Sequence, residues 1–284
     1  MGGADLTAAI QANEPAIRLG CFAVVLATVA VWEALAPRRP RLVSRWVRWP
    51  SNLALVAING ALVRLAFPIA AVGMAAIASA GGFGLLNAIP LPRWAATILG
   101  IVLLDFAIYL QHVMMHAVPV FWRLHRMHHA DLDFDVTTGA RFHPVEILLS
   151  MALKIGVVAA LGPPVVAVIV FEVLLNATSM FNHANLKLPA ALDRLLRLVI
   201  VTPDMHRVHH SIVPHETNSN FGFNWPWWDR LCGTYRGQPA AGHDAMTIGL
   251  HDFRDPAELR LDRLLVQPLK GTTHSVPINR EPTP

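Results

Sequence analysis

Charge is scarce in this chain. Asp, Glu, Lys and Arg make up 15% of its 284 residues, against about 25% in an ordinary soluble domain. With 54% hydrophobic residues and a mean hydropathy of +0.44, the deficit argues against a typical water-soluble globule: apolar surface must face something other than water, and a bilayer is the obvious candidate. Cysteine is scarcer still. Cys21 lies in an apolar run and Cys232 in a polar stretch, so neither a disulfide framework nor a CxxC metal site is available. A Rossmann GxGxxG, a flavin motif, a haem-binding CxxCH and a ferredoxin cysteine set are missing too. Any redox chemistry must therefore draw its electrons from outside the chain. The sequence pI of 9.6 does not point to nucleic acid, because the basic residues cluster beside apolar segments, as they do in cytosolic loops of membrane proteins.

Long apolar runs are what the chain does have. Residues 16–35 are long enough to cross a hydrocarbon core of about 30 Å. Asp5 and Glu14 precede this run and a basic stretch follows it, which fits a first transmembrane helix better than a signal peptide. Arg38, Arg39, Arg41, Arg45 and Arg48 then occur with no acid among them, placing this loop in the cytosol and the N-terminus outside. A second span is expected from near Leu53 to about Ala80, bent near Pro68, and a third over residues 93–116. The 37 residues 145–181 exceed one span and contain Gly162-Pro163-Pro164, which predicts a two-helix hairpin. Around residues 188–201 Leu192, Leu195, Leu196 and Val199 oppose Asp193, Arg194 and Arg197, the pattern of a helix lying in the interface. A short helix is expected over residues 256–266, with disorder at the very end. The fold class is thus an all-α integral-membrane helical bundle of about four to five spans, one pair a hairpin, with a cytosolic helical cap. It divides into N-terminal helices and basic loop (1–93), a catalytic unit (94–236) and a polar C-terminal tail (237–284).

The chain also has 14 histidines, most of them between His112 and His215. His112 and His116 are spaced i, i+4. His125, His128 and His129 are spaced i, i+3, i+4, and His206, His209 and His210 repeat that spacing. Residues so spaced share one helix face, so each cluster aims two or three imidazoles in one direction. All three fall on the predicted cytosolic side, where distant segments can converge. Packed imidazoles without a metal would have no reason to stay together. Eight nitrogens exceed the need of one ion, so two metals are the natural count. With no thiolate the set departs from structural zinc sites and suits redox-active iron.

These clusters, "HVMMH" (112–116), "HRMHH" (125–129) and "HRVHH" (206–210), resemble the integral-membrane fatty acid hydroxylase/sterol desaturase superfamily. "RFHPVE" (141–146), "NHANL" (182–186) and "ETNSNFGFNWPWWDRLCGTY" (216–235) resemble it as well, and the similarity covers about residues 94–236. The resemblance implies a non-haem di-iron enzyme that uses O2 and two electrons to hydroxylate or desaturate a C–H bond of a sterol-like or fatty acyl lipid. It implies as ligands His112, His116, His125, His128, His129, His183, His206, His209 and His210. It also implies an external electron donor of ferredoxin, cytochrome b5 or reductase type. The site would lie on the cytosolic side of the inner or cell membrane if the chain is bacterial.

Three further residues are candidates to stand behind the ligands and orient them. Asn185 shares the HxN element with His183. His143 precedes Pro144 and is balanced between serving as a ligand or behind one and capping or simply packing a helix. Asp105 lies in the third span, where an ionisable group marks a functional site by default, with a bond to Tyr109 or to backbone as the competing role. Glu146, Asp204 and Glu216 are weaker candidates. Arg123, Arg126, Arg141 and Arg207 offer a basic surface for an acidic electron carrier, and Trp225, Trp227 and Trp228 suit anchorage at the headgroup level. Two rival readings of so many histidines are a membrane metal transporter, which should place its ligands near the bilayer midplane, and a zinc-dependent lipid hydrolase.

Overall fold

The computed structural model describes residues 12–271 together with Ile278, and every helix or strand assigned among them is a helix. Five helical stretches are long and apolar enough to cross a membrane. The first, α1 (Glu14–Leu35), carries Pro15 in its opening turn, where a missing N–H costs nothing. Next comes α2 (Arg45–Ala66), capped by Ser44, whose Oγ accepts from the Trp46 N–H. The expected single bent span from Leu53 to Ala80 is instead two helices, since α2 stops before Phe67 and α3 (Ala71–Gly81) follows. Pro68 accounts for the break: it has no N–H to donate, and its ring collides with the carbonyl four residues back.

The long helix α4 (Arg93–Ala117) leads into α5 (Pro119–His129), whose first residue is again a proline. The hairpin forms as the sequence implies, with α6 (Pro144–Leu161) and α7 (Val165–Asn182) turning at residues 162–164. Gly162 is required at this turn. Its φ is 60°, and a Cβ there would lie 2.5 Å from the Phe83 carbonyl oxygen. Of the five spans, α4 and α7 are the most buried. Leu104 and Ile108 of α4, Val158 of α6 and Val168 and Phe171 of α7 form the main core with α3.

Beyond the hairpin, the helix α8 (Ala190–Leu196) is shorter than the amphipathic pattern implies, and Leu192, Leu195 and Val199 of that segment are exposed. It is followed by α9 (Pro203–His209). The helix expected at 256–266 is split into a 3-10 turn (Pro256–Leu259) and α10 (Leu261–Val266). This C-terminal stretch packs back on the body. Leu264 joins Leu55 and Met127 in one apolar cluster, and Met246 and Ile248 join Phe134 in another. The disorder expected at the end concerns residues outside the described ones.

One end of the bundle collects everything the histidines need. The C-terminal ends of α1, α4 and α7 and the N-terminal ends of α2 and α6 meet there. Glu33 near the end of α1 accepts from the Val136 and Asn185 N–H groups at 2.8 and 2.7 Å. Arg48 of α2 donates to both Asp131 oxygens at 2.7 Å and also pairs with Asp135. Asp133 accepts from the Leu42 and Val43 N–H groups. The acid-free run 38–48 and the acid-dense run 131–135 thus clamp each other.

Candidate metal centre

Four short segments deliver the rings. The last two turns of α4 carry His112 and His116, the end of α5 carries His125, His128 and His129, and His183 caps the C-terminus of α7. His206 and His209 lie on α9, and His210 caps it. Pro203 and Thr202 fix the start of α9, with Thr202 Oγ1 accepting from the Met205 N–H. All nine histidines are buried, none more than 3% exposed. They fall into two groups: His112, His116, His125, His129 and His209, and then His128, His183, His206 and His210. Within each group one ring nitrogen per residue lies within 4.8 Å of all the others.

The hydrogen bonds fix what those nitrogens are. Nδ1 of His112 donates to the Phe221 carbonyl at 2.7 Å, and Nδ1 of His125 donates to Glu146 Oε1 at 2.6 Å. Nδ1 of His128 donates to the Arg141 carbonyl, that of His183 to the Ser179 carbonyl, and that of His209 to the Ser219 carbonyl. Nδ1 of His116 meets Asn218 Oδ1 at 3.1 Å. A carbonyl or carboxylate oxygen only accepts, so each Nδ1 facing one carries the proton and the Nε2 of that ring is a bare lone pair. Yet His112 Nε2 and His125 Nε2 stand 3.1 Å apart, as do His128 Nε2 and His183 Nε2. His206 Nε2 and His210 Nε2 approach the same His183 nitrogen at 3.1 and 3.2 Å. Lone pairs facing one another with no proton between them repel, and a cation converts each contact into two coordinate bonds. Among the described residues, the Nε2 atoms of His116, His129 and His209 and the Nδ1 atoms of His129, His206 and His210 find no hydrogen-bond partner. The six rings whose Nδ1 is so held offer Nε2 to a metal, and with His129, His206 and His210 beside them the two groups fit a pair of ions.

Charge on the rings is disfavoured. Burial, reinforced by the neighbouring imidazoles, lowers His128, His129, His206, His209 and His210 well below the ordinary histidine value. Burial likewise takes His183 down to about 3. Beside the rings, burial pushes the Asp131 carboxyl up, but Arg48 and Arg141 outweigh it and hold it at about 2.

The structure brings the nine expected ligands together and, Glu146 apart, places the other candidates away from them. Asp105 does not reach a histidine: its Oδ2 accepts from Trp228 Nε1 at 2.7 Å, which also turns that Trp inward rather than toward lipid. His143 belongs to neither group; its Nδ1 accepts from the Val145 N–H, capping α6, and its Nε2 donates to the Leu265 carbonyl. Asn185 binds the backbone of Arg39 through its amide. Glu216 accepts from the Ala240 N–H and Asp204 pairs with Arg207, so Glu146 alone of the weaker acids touches a ligand. The basic docking surface is overturned. Arg126, Arg141 and Arg207 are buried, and their guanidinium groups serve carbonyls of Gln267, Met127 and Ala184; only Arg123 of the four is exposed. Asn218 was missed, although it lies inside the quoted "ETNSN" motif.

A cavity of about 840 Å³ opens from His112 and His125 into the bundle. Met115, Phe142, Met151, Leu175 and Phe223 give it an apolar wall. Its remote part passes the α2–α3 break and reaches Arg18, Lys154 and Glu172.

The family model described as fatty acid hydroxylase matches residues 97–234. The ornithine lipid hydroxylase OlsE of Rhizobium tropici is 31% identical over 148 residues, 52% of this chain and 44% of that protein. The alkylglycerol monooxygenase of Homo sapiens is 28% identical over 175 residues, 60% of this chain and 36% of that protein. The methylsterol monooxygenase 2-2 of Arabidopsis thaliana is 26% identical over 159 residues, 54% of this chain and 59% of that protein. The chain thus spans less than two thirds of the length of each of these relatives. No solved structure matches it.

Proposed function

Because this chain belongs to the fatty acid hydroxylase/sterol desaturase superfamily through residues 97–234, we propose that it is an O2-dependent di-iron oxidase of a membrane lipid. The observation that carries the reading is the facing of bare Nε2 lone pairs across two groups of five and four imidazoles. Two iron ions, when bound, supply O2 activation and the removal of hydrogen from an unactivated carbon. His112, His116, His125, His129 and His209 would hold one ion, and His128, His183, His206 and His210 would hold the other. Glu146 and the carbonyls of Phe221, Arg141, Ser179 and Ser219 keep the rings in the tautomer that coordinates. Imidazoles tolerate a strong oxidant where thiolates would be consumed. The apolar wall beside His112 and His125 holds one substrate carbon at that end of the cavity, so regioselectivity comes from position.

Hydroxylation consumes O2, two electrons and two protons; one oxygen atom enters the C–H bond and the other leaves as water. Desaturation consumes the same inputs, removes two hydrogens from the lipid and releases two waters. The electrons come from an external donor of ferredoxin, cytochrome b5 or reductase type, since the chain carries no electron-transfer motif of its own. The arginine-rich loop 38–48 lies at the histidine end of the bundle, which supports a cytosolic site. The names of the relatives support a lipid of acyl, ether or sterol type.

The test is iron content and lipid turnover in the purified chain. Reconstituted protein should hold two irons. With a reductant and membrane lipid extract it should give a product with one oxygen more or two hydrogens fewer, and only in the presence of O2. Turnover that continues without O2 would assign a zinc-type hydrolase, and ion flux without lipid change would assign a transporter.

A further inference from the structure

The remote part of the cavity is not apolar. Lys154, midway along α6, donates to Glu172 Oε1 at 2.9 Å, and Arg18 of α1 pairs with Glu172 Oε2 at 2.9 Å. Arg18 also reaches Glu14 at 2.8 Å. Glu172 is 2% exposed and Lys154 11%, and all four residues, with Arg64 of α2, line the cavity. Ionisable side chains inside membrane helices are costly and mark ligand paths. This cluster sits within three candidate spans and touches none of the nine histidines. Lys154 lies eight residues beyond Glu146 on α6 and Glu172 eleven residues before His183 on α7. At about 1.5 Å per residue the cluster is roughly 12–16 Å from the rings.

We propose that the Arg18–Lys154–Glu172 cluster is the polar-end site of the substrate, and that it takes a zwitterionic lipid headgroup, an anionic group joined to an ammonium. The mixture of signs argues for this class. An anion drawn to Lys154 and Arg18 displaces Glu172 from them, and a buried carboxylate left without a cation is strongly destabilising. An ammonium on the same headgroup replaces the lost partner, with Glu14 at the rim as a second acceptor. An anion alone leaves Glu172 unpaired, and an uncharged lipid gains nothing from breaking the pairs. The metals then meet a carbon a fixed distance along the chain from the headgroup. This inference rests on the reading of the cavity as the lipid site, although not on the metals being active.

The experiment is lipid binding to the full chain in detergent, stripped of metal, so that it is read apart from turnover. The probes are palmitoyl lysophosphatidylethanolamine, palmitate and monopalmitoylglycerol, measured by native mass spectrometry. The zwitterionic probe should bind about tenfold tighter than either of the others. Lys154→Met should abolish that preference without weakening monopalmitoylglycerol, and Lys154→Arg should keep it. Equal binding of the three probes by the unaltered chain overturns the proposal, and that comparison needs no variant to fold. A uniform loss of all three probes in Lys154→Met, accompanied by a fall in melting temperature, also overturns it, by making the cluster a structural clip. Failure of the di-iron reading shows instead as absent iron or absent O2 dependence, with the headgroup preference intact.

Discussion

Glu146 is the charged acceptor among those that hold the rings, and its 2.6 Å bond to His125 Nδ1 sets both the tautomer and the basicity of that imidazole. Glu146→Gln keeps the shape and removes the charge. Iron affinity should fall about 10- to 100-fold, read by competition with a chelator, while the circular dichroism spectrum stays unchanged. The rings also dictate a pH response. His183, with a folded value of about 3 against 6.5 for a free histidine, binds its proton in the unfolded chain well before it does so in the folded one. The other lowered histidines act in the same direction. The unfolded state therefore holds more protons below pH 6.5, and the stability of the metal-free protein should fall as the pH drops from there toward 3. Above neutrality it should be flat. A melting series of chelated protein across that range checks it, and a midpoint that rises on acidification would contradict the buried neutral rings.

Helices meet tightly where the second histidine group is built. A Cβ on Gly139 would lie 2.5 Å from the Ser179 carbonyl oxygen and 3.1 Å from His183 Nδ1, and that carbonyl is the acceptor that orients His183. Gly139→Ala should cost about 1–3 kcal/mol and weaken metal binding at the His128–His183–His206–His210 group more than at the other, measured by melting and by metal count. Nothing in the sequence marks Gly139, because its neighbour lies on a helix forty residues away. The hairpin, by contrast, was legible in full from Gly162-Pro163-Pro164, since those residues end a helix by themselves. Pro68 gave the position of the α2–α3 interruption but not its depth, which the four residues 67–70 and the packing of α3 decide. Histidine spacing was legible because helical periodicity is local. The exposure of arginine was not: Arg126, Arg141 and Arg207 look like a docking face in sequence, and only tertiary carbonyls reveal them as internal struts.

At the scale of the whole molecule, the C-terminal stretch belongs to the folded body. Arg126 Nη2 donates to the carbonyls of Gln267 and Lys270 at 2.7 and 2.6 Å, one residue from His125 and two from His128. Truncation after Arg236 should remove both carbonyl partners of Arg126 and, with Leu264 gone, uncover Leu55 and Met127. The expected loss is about 2–5 kcal/mol, the order of emptying a buried leucine site, seen as a lower melting temperature and a shortened protease half-life before any loss of lipid binding. Composition alone could not show this, since a polar, proline-rich stretch reads the same whether it drapes a surface or floats.

The nine donors are all nitrogen, without a single oxygen or sulfur. Such a set ranks divalent ions by the order common to imidazole sites, in which ferrous iron falls below copper and zinc. Selectivity for iron is then not written into the cage. On the di-iron reading it would be set by whichever ion the cell leaves available while the chain folds, and a host flooded with zinc should then accumulate this protein intact and silent.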